Sequence, residues 1–316
     1  MLSLLRFGHV NMREAKRGHT VRRIIFWTAL MGALLCLAVT VGYYCSRYWV
    51  ARKYEELRDQ VSPVQSETVS ETEEQGANPT LEEIENAEFT GIIDAPEPKI
   101  PKEVLTDAED RPVDFEKLTA INPELYAWIR IPGTKIDYPV AQHEGEDQTY
   151  YLKHDLYRTP QFAGCIFSQE PSAKDMTDPV TVMYGHNMRN GSMFQNLYSF
   201  LEEDALKDDR YVYVYTQGQM LVYRIYCATY GDNRNITQAW DFSEPEELEK
   251  YIEDTKHPRS MEARTAEPDE VTTEDRILTL STCVYQQPGV RLLVHAVLIY
   301  RSETGEETET QTGSNG

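Results

Sequence analysis

Cysteine is scarce in this sequence, which has five cysteines among 316 residues. They are Cys36, Cys45, Cys165, Cys227 and Cys283, and no two of them form a CxxC pair. Zinc sites and disulfide frameworks use closely spaced cysteines, so the sequence supports neither. A single disulfide between Cys165 and Cys227 stays open, and a leftover thiol calls for a chemical explanation.

Basic side chains are outnumbered as well. The chain has 31 Lys and Arg residues against 52 Asp and Glu residues, which gives a formal net charge of -21. A protein that binds nucleic acid needs a basic face for the phosphate backbone. The charge balance therefore argues against nucleic acid as a partner.

Several common catalytic and cofactor-binding motifs are missing. The sequence contains no GxxxxGK[ST], GxGxxG, HExxH or GxSxG motif, and its acid-rich stretch lacks EF-hand spacing. Such motifs bind nucleotides, zinc or calcium, or present a catalytic serine. The motifs therefore give no support for a metal or a cofactor.

Residues 24–44 form a run of 21 residues without a charged side chain. A helix of this length crosses a hydrocarbon core of about 30 Å. Basic residues dominate before the run and acids soon follow it, which places the N-terminus in the cytoplasm and the rest outside. We predict a cytoplasmic tail at 1–23 and a single-pass signal anchor at 24–44. A cleaved signal peptide is the alternative, but its apolar region is typically about 7–15 residues.

Acidic residues dominate two further segments. Residues 66–98 contain ten acids and no Lys or Arg, so they repel one another and bury little apolar surface. We predict a juxtamembrane segment and flexible acidic linker at 45–112, and a disordered acidic tail at 302–316. The folded domain is then residues 113–301.

Within this domain, runs rich in β-branched and aromatic residues predict eight strands. They lie at 127–131, 138–142, 165–168, 180–184, 211–216, 221–230, 277–283 and 291–300. Helices are predicted at 114–120, 123–126, 192–202 and 244–256. Many short strands with helices in the connections indicate a mainly β fold, a mostly antiparallel barrel or sandwich.

Cys283 ends one of these strands on its more polar face, because side chains along a strand alternate between faces. The next strand begins at Arg291 after a Pro-Gly turn, so a hairpin brings Arg291 beside Cys283. A nearby guanidinium favours a thiolate and stabilises a developing oxyanion. These features indicate a catalytic cysteine, although a buried structural cysteine is the alternative.

A cysteine nucleophile needs an acid/base partner, which is normally histidine. His186 follows the strand Val180–Tyr184, at an exit where catalytic groups are typically displayed. We expect Gly185 to adopt unusual backbone angles there and Asn187 to orient the ring. His295 is the second candidate, but its position within a strand favours packing in the barrel wall.

These residues resemble the sortases, and most closely the class B members. The resemblance is carried by TLSTC at 279–283 with Arg291 on the next strand, by YGHNM at 184–188, and by WIRIPGTKIDYPV at 128–140. YYLKHD at 150–155 and the segment 242–260 agree with it. The resemblance covers residues 113–301, and the three motifs together are specific.

The resemblance implies an eight-stranded sortase-type β-barrel with short N-terminal helices, a helix inserted before the last two strands and one preceding transmembrane helix. Cys283 would attack the carbonyl after the Thr of a C-terminal sorting signal on a secreted protein. His186 would be the acid/base partner, and Arg291 would stabilise the oxyanion. An amine of a peptidoglycan precursor would resolve the thioester. Substrate contacts are expected from Ser281, Thr282 and Tyr184.

Two other functions stay open. A pilin polymerase uses the same three side chains with a Lys of another subunit as the amine, but Asp94-Ala95-Pro96 lacks the lid sequence usual in those enzymes. A non-catalytic surface domain on an acidic stalk would not need Cys283. Val284, where class B members often carry a polar residue, is a departure from the pattern.

Overall fold

The computed structural model describes residues 4–61, 101–109, 113–266, 270–285 and 287–303. The predicted linker segment 66–98 and the tail beyond residue 303 lie outside the described residues, as does Asp94-Ala95-Pro96. The chain divides into two compact units, residues 1–56 and residues 57–316.

Helix α1 (Leu4–Val61) forms the described part of the first unit and enters the second with its last residues. Its segment Ile25–Gly42 is the one described helical segment that is long and apolar enough to cross a membrane. It falls within the predicted anchor at 24–44. At the start of the second unit, Leu57 and Val61 are buried, and the Val61 carbonyl accepts a hydrogen bond from the Asp114 amide.

The second unit is a closed β-barrel. Its described strands are β1 (Leu125–Arg130), β2 (Asp137–Gln142), β3 (Ile166–Ser168), β4 (Val180–Tyr184), β5 (Tyr211–Thr216), β6 (Gln219–Asp232), β7 (Arg264–Thr265), β8 (Ile277–Cys283) and β9 (Val290–Glu303). The strand order is β5-β1-β2-β3-β4-β8-β9-β6, and pairing of β5 with β6 closes the ring, while β7 adds to β6 outside it. The prediction of an eight-stranded barrel is confirmed.

The barrel is mostly antiparallel, with two parallel pairs, β2 with β3 and β4 with β8. Helix α3 (Phe115–Ile121) precedes the barrel, as expected for a short N-terminal helix. Helix α2 (Lys102–Glu109) was not predicted, and it lies within residues 45–112, where the sequence predicted a flexible linker. Asp114 caps α3 by accepting a hydrogen bond from the Lys117 amide at 3.0 Å.

Helix α5 (Pro245–Lys256), which follows the short helix α4 (Ile236–Ala239), is the predicted insertion before the last two long strands. Its apolar stripe, Leu248, Tyr251 and Ile252, packs on the outer face of the barrel against side chains of β4, β6, β8 and β9. The Tyr251 hydroxyl hydrogen-bonds to Thr279 on β8 at 2.8 Å. Since side chains alternate along β8, Cys283 lies on this same outer face.

Two predicted helices differ in the structure. Residues 123–126 are not helical: they form a turn and the start of β1, because Leu125 pairs with Ala141 on β2. The helix predicted at 192–202 is a 3-10 helix, Phe194–Leu201. Its buried residues, Phe194, Leu197 and Phe200, recur every third position, which is the period of a 3-10 helix.

Candidate active site

Cys283 and Arg291 face each other across the hairpin of β8 and β9. Their Cα atoms are register partners in the antiparallel pair. Arg291 Nη1 donates a hydrogen bond to Cys283 Sγ at 3.0 Å. The thiol side chain is partly exposed, so the sulfur lies next to a fixed cation and open to solvent.

The loop that carries His186 is brought beside the end of β8 by the parallel pairing of β4 with β8. Tyr184 pairs with Ser281, and the Gly185 amide donates to the Ser281 carbonyl at 3.1 Å. Thr282 Oγ1 in turn donates to the Gly185 carbonyl at 2.8 Å. The exit of β4 therefore runs beside the end of β8.

The ring of His186 is held on its edge and on its face. Its Nε2 lies 2.9 Å from the Leu152 carbonyl oxygen, which can only accept a hydrogen bond, so Nε2 carries the proton. The ring of Phe162 stacks on it with centroids 5.5 Å apart and planes at 23°. This leaves Nδ1 as the ring nitrogen that does not bond to the Leu152 carbonyl.

Asn187 has a different role from the one expected. Its side-chain amide donates to the Cys283 carbonyl at 3.1 Å, and the Tyr198 hydroxyl donates to the same oxygen at 3.1 Å. Burial raises the pKa of Tyr198 to about 12, so its hydroxyl stays a donor at neutral pH. The pair fixes the backbone of Cys283, whereas the His186 ring is oriented by Leu152 and Phe162.

Gly185 also differs from expectation. Its backbone does not adopt a positive φ, so conformational freedom is not the reason for glycine. A Cβ atom there would lie 2.5 Å from the side chain of Ile166 and 2.8 Å from that of Phe194. Close packing against these two side chains excludes a larger residue at the base of the His186 loop.

The three residues expected to contact the substrate, Ser281, Tyr184 and Thr282, differ in burial and in the face of the barrel that they occupy. Ser281 lies on the Cys283 face of β8, where it is buried. Tyr184 is half-buried, and its hydroxyl donates to Asn235 Oδ1 at 3.2 Å. Burial raises the pKa of Tyr184 to about 12. Thr282 points to the opposite face from Cys283 and is only 1% exposed.

His295 is packed in the barrel wall, as predicted for the second candidate. It is 1% exposed, and its Nδ1 lies 3.0 Å from Thr279 Oγ1. Burial lowers the pKa of His295 to about 3, so the ring is neutral at physiological pH. Thr279 and the rings of Tyr226 and Tyr251 surround it, away from the end of β8 that carries Cys283.

The other thiols of the barrel are not part of this site. Cys165 and Cys227, both described and both buried, are not joined in a disulfide. The Cys165 thiol donates to the Pro139 carbonyl, and burial raises the pKa of Cys227 to about 12. Among the described residues there is also no group of three or more His, Cys, Asp or Glu side chains that could hold a metal ion.

Three side chains or groups at the site were missed by the sequence reasoning: the Leu152 carbonyl, Phe162 and Tyr198. Leu152 lies in the YYLKHD segment, which marked its loop without marking its role. A backbone carbonyl carries no sequence signal of its own, because every residue has one. Phe162, 75% exposed, looks in sequence like any loop aromatic.

Comparison with known proteins shows the family of this chain. A family model described as a sortase domain matches residues 129–299. Sortase B of Listeria monocytogenes is 30% identical over 211 residues, which cover 64% of this chain and 81% of that protein. Sortase B of Staphylococcus aureus is 30% identical over 190 residues, or 58% and 74%. The crystal structure of Clostridium perfringens sortase B has a TM-score of 0.53 and 31% identity, and covers 59% of this chain and all of that one (100%).

The closed barrel and its partly exposed cysteine, together with the relatives above, define a cysteine transpeptidase. The chain belongs to the sortase family, and its relatives place it in class B. The resemblance seen in the sequence is thereby confirmed, as are the fold and the enzyme class.

Proposed function

We propose that this protein cleaves a C-terminal sorting signal of secreted proteins after a threonine and joins the released acyl group to an amine of a peptidoglycan precursor. Sortases act on sorting-signal proteins, and family membership supports that part. The observation that carries the proposal is the hydrogen bond from Arg291 Nη1 to Cys283 Sγ at 3.0 Å, on a strand end beside the His186 loop.

In the first step of this proposal, Cys283 Sγ attacks the carbonyl carbon of the scissile amide. A C–S bond forms, the carbonyl electrons move to oxygen, and Arg291 stabilises the resulting oxyanion with its remaining N–H donors. His186 takes the thiol proton and passes it through Nδ1 to the leaving amine. The C–N bond breaks and a thioester on Cys283 remains.

The second step reverses the proton path. The incoming amine loses a proton to His186 Nδ1 and attacks the thioester carbonyl, and Arg291 again stabilises the oxyanion. The C–S bond breaks, the thiol regains its proton and a new amide leaves. The Leu152 carbonyl favours the tautomer needed here, since it holds the other ring nitrogen as a donor.

We assign the expected substrate contacts by their placement. Tyr184 and Ser281 are register partners next to Cys283 on the outer face. Half-buried Tyr184 suits the floor of a peptide groove, whereas Ser281 is only 4% exposed and offers a substrate little surface. Thr282 has almost no exposed surface, and its hydroxyl donates a hydrogen bond to the Gly185 carbonyl. We assign Thr282 a positioning role in place of the substrate contact expected from sequence.

We also propose the membrane arrangement that the sequence predicts. The apolar segment Ile25–Gly42 would span the cell membrane once, with the N-terminus in the cytoplasm and the barrel outside. This topology places the barrel on the side of the membrane where secreted proteins and cell-wall precursors meet.

The proposal is tested by mass spectrometry of the full chain after incubation with a library of sorting-signal peptides. We expect an acyl adduct on Cys283 that ends in threonine, and its loss when a cell-wall-type amine is added. A peptide bearing a different residue before the scissile bond should leave no such adduct.

Two variants frame this experiment. Cys283→Ala should form no adduct, because it removes the sulfur, whereas Cys45→Ser should form it normally. An adduct on another cysteine, or none with any peptide, would contradict the proposal. Transfer to a Lys of a folded subunit, but to no small amine, would favour a pilin polymerase.

A further inference from the structure

The loop between β2 and β3, residues 143–165, supplies both contacts that orient His186. The Leu152 carbonyl accepts from Nε2 at 2.9 Å, and Phe162 stacks on the ring. The position of this carbonyl therefore decides which ring nitrogen is protonated and where Nδ1 points. What holds Leu152 in place becomes relevant to catalysis.

Leu152 ends a one-turn 3-10 helix, Tyr150–Leu152, whose central residue is anchored in the protein interior. Tyr151 is fully buried at 0% exposure. Its hydroxyl donates to Glu124 Oε2 at 2.5 Å and accepts from Asn122 Nδ2 at 2.8 Å. The residue next to Leu152 is thus fixed by two hydrogen bonds to the segment before β1.

Glu124 is a buried carboxylate, 6% exposed, with partners on both oxygens. His143 Nδ1 lies 3.0 Å from Oε1, and Arg158 Nη2 lies 3.5 Å from Oε2. Burial raises the pKa of Glu124, but the hydrogen bonds from Tyr151, the Glu144 amide and His143 and the charge of Arg158 together hold it below its ordinary value. The carboxylate stays ionised and keeps accepting from Tyr151.

The backbone of Tyr151 and Leu152 is also held by the end of the same loop. The Cys165 amide donates to the Tyr151 carbonyl at 2.9 Å. Gly164 has φ 62°, and a Cβ atom there would overlap the Tyr151 carbonyl oxygen and lie 3.1 Å from the Leu152 oxygen. These backbone contacts and the Glu124 network together leave the Leu152 carbonyl little freedom.

We infer that Glu124 and Tyr151 are positioning residues for His186, acting through the Leu152 carbonyl to hold the ring in the tautomer that presents Nδ1 to the reacting groups. This inference rests on the proposed function of His186. Neither residue touches the substrate. Loss of the Tyr151 hydroxyl allows the 3-10 helix to shift. A shift of the Leu152 carbonyl breaks its hydrogen bond with His186 Nε2, so neither the tautomer nor the orientation of the ring is fixed any longer.

The test combines NMR of the imidazole nitrogens with kinetics, using the full chain in detergent with ¹⁵N-labelled histidine. His186→Gln identifies the His186 signals. In the wild-type protein we expect the Nε2-protonated tautomer. In Tyr151→Phe we expect a mixture of tautomers, and kcat for a sorting-signal peptide about tenfold lower with KM nearly unchanged, as for misplaced catalytic groups.

Matched variants separate positioning from general stability. Tyr215, on β5, has a buried hydroxyl that donates to the Ala108 carbonyl of α2 at 2.8 Å. Tyr215→Phe removes this hydroxyl and should change neither the His186 tautomer nor kcat. Glu124→Gln keeps an acceptor of the same shape for Tyr151 and should fall between wild type and Glu124→Ala. Glu124→Ala, which removes the acceptor, serves as the test if Tyr151→Phe fails to fold.

Tautomer signals of Tyr151→Phe and Glu124→Ala that match those of Tyr215→Phe would overturn the inference. The NMR readout requires no turnover, so it stays informative if no peptide acylates Cys283. In that case the proposed function fails while the positioning network is still tested.

Discussion

Arg291 contributes a planar fork of donors to the site, and one of them, Nη1, already contacts Cys283 Sγ at 3.0 Å. A lysine would keep the charge but would offer a single point of contact on a flexible stem. We therefore expect Arg291→Lys to reduce kcat/KM for a sorting-signal peptide by about 10²–10³-fold, the range for loss of an oxyanion donor.

The fold should survive this change, because the Arg291 side chain is half-buried and lies at the start of β9. Circular dichroism and thermal unfolding of Arg291→Lys should match the wild type. Wild-type turnover by this variant would show that the guanidinium has no direct part in the reaction.

At the scale of single residues, the sequence is informative where pairing rules apply. Arg291 opposite Cys283 follows from the hairpin, and His186 follows from a motif at a strand exit. The orientation of the His186 ring was not predictable, because it depends on the Leu152 carbonyl and on Phe162 from a loop distant in sequence. Asn187 was assigned to its neighbour His186, whereas its amide reaches the carbonyl of Cys283.

At the scale of helices and strands, α5 and the strands that it packs on enclose the imidazole of His295, which should make the free energy of unfolding depend on pH. His295 has a folded-state pKa of about 3 against an ordinary 6.5. The unfolded chain therefore binds a proton that the folded chain excludes. Stability from this group is complete above about pH 6.5 and is lost as the pH falls towards 3.

When the pH falls from 7 to 5, protonation of His295 in the unfolded chain should lower the free energy of unfolding by about 2 kcal/mol. Urea unfolding at both values should show the decrease in the wild type, and His295→Gln should show it smaller by that amount. His257→Gln, at the exposed end of α5, serves as the control and should retain the full decrease. Equal decreases in all three proteins would contradict a neutral, buried His295.

The strands of five or more residues were predicted well, because a run of that length is long enough to show its β-branched and aromatic composition and its alternation of faces. The spans of β4, β5 and β8 agree with the prediction residue for residue. Strand β7 has two residues, too few to show any period, and was missed. At 123–126, the first-turn preference of Pro123 is overridden by pairing of β1 with β2, which forms only when distant segments meet.

For the whole molecule, the sequence order of anchor, acidic segment and barrel carries a prediction about sidedness. Basic residues before Ile25–Gly42 predict that the N-terminus stays in the cytoplasm, so the barrel and Cys283 must lie outside. A membrane-impermeant maleimide added to intact cells should then label Cys283, provided that Cys36 and Cys45 are first replaced by serine.

The opposite side of the membrane supplies the internal control. A Ser3→Cys variant in a Cys283→Ala background should react with the reagent only after the cells are permeabilised. Cys165 and Cys227 are buried in the barrel and should contribute little label in either case. Labelling of residue 3 but not of Cys283 in intact cells would place the barrel in the cytoplasm, where it could not reach secreted proteins. That result would refute the proposed substrate class while leaving the chemistry of Cys283, His186 and Arg291 intact.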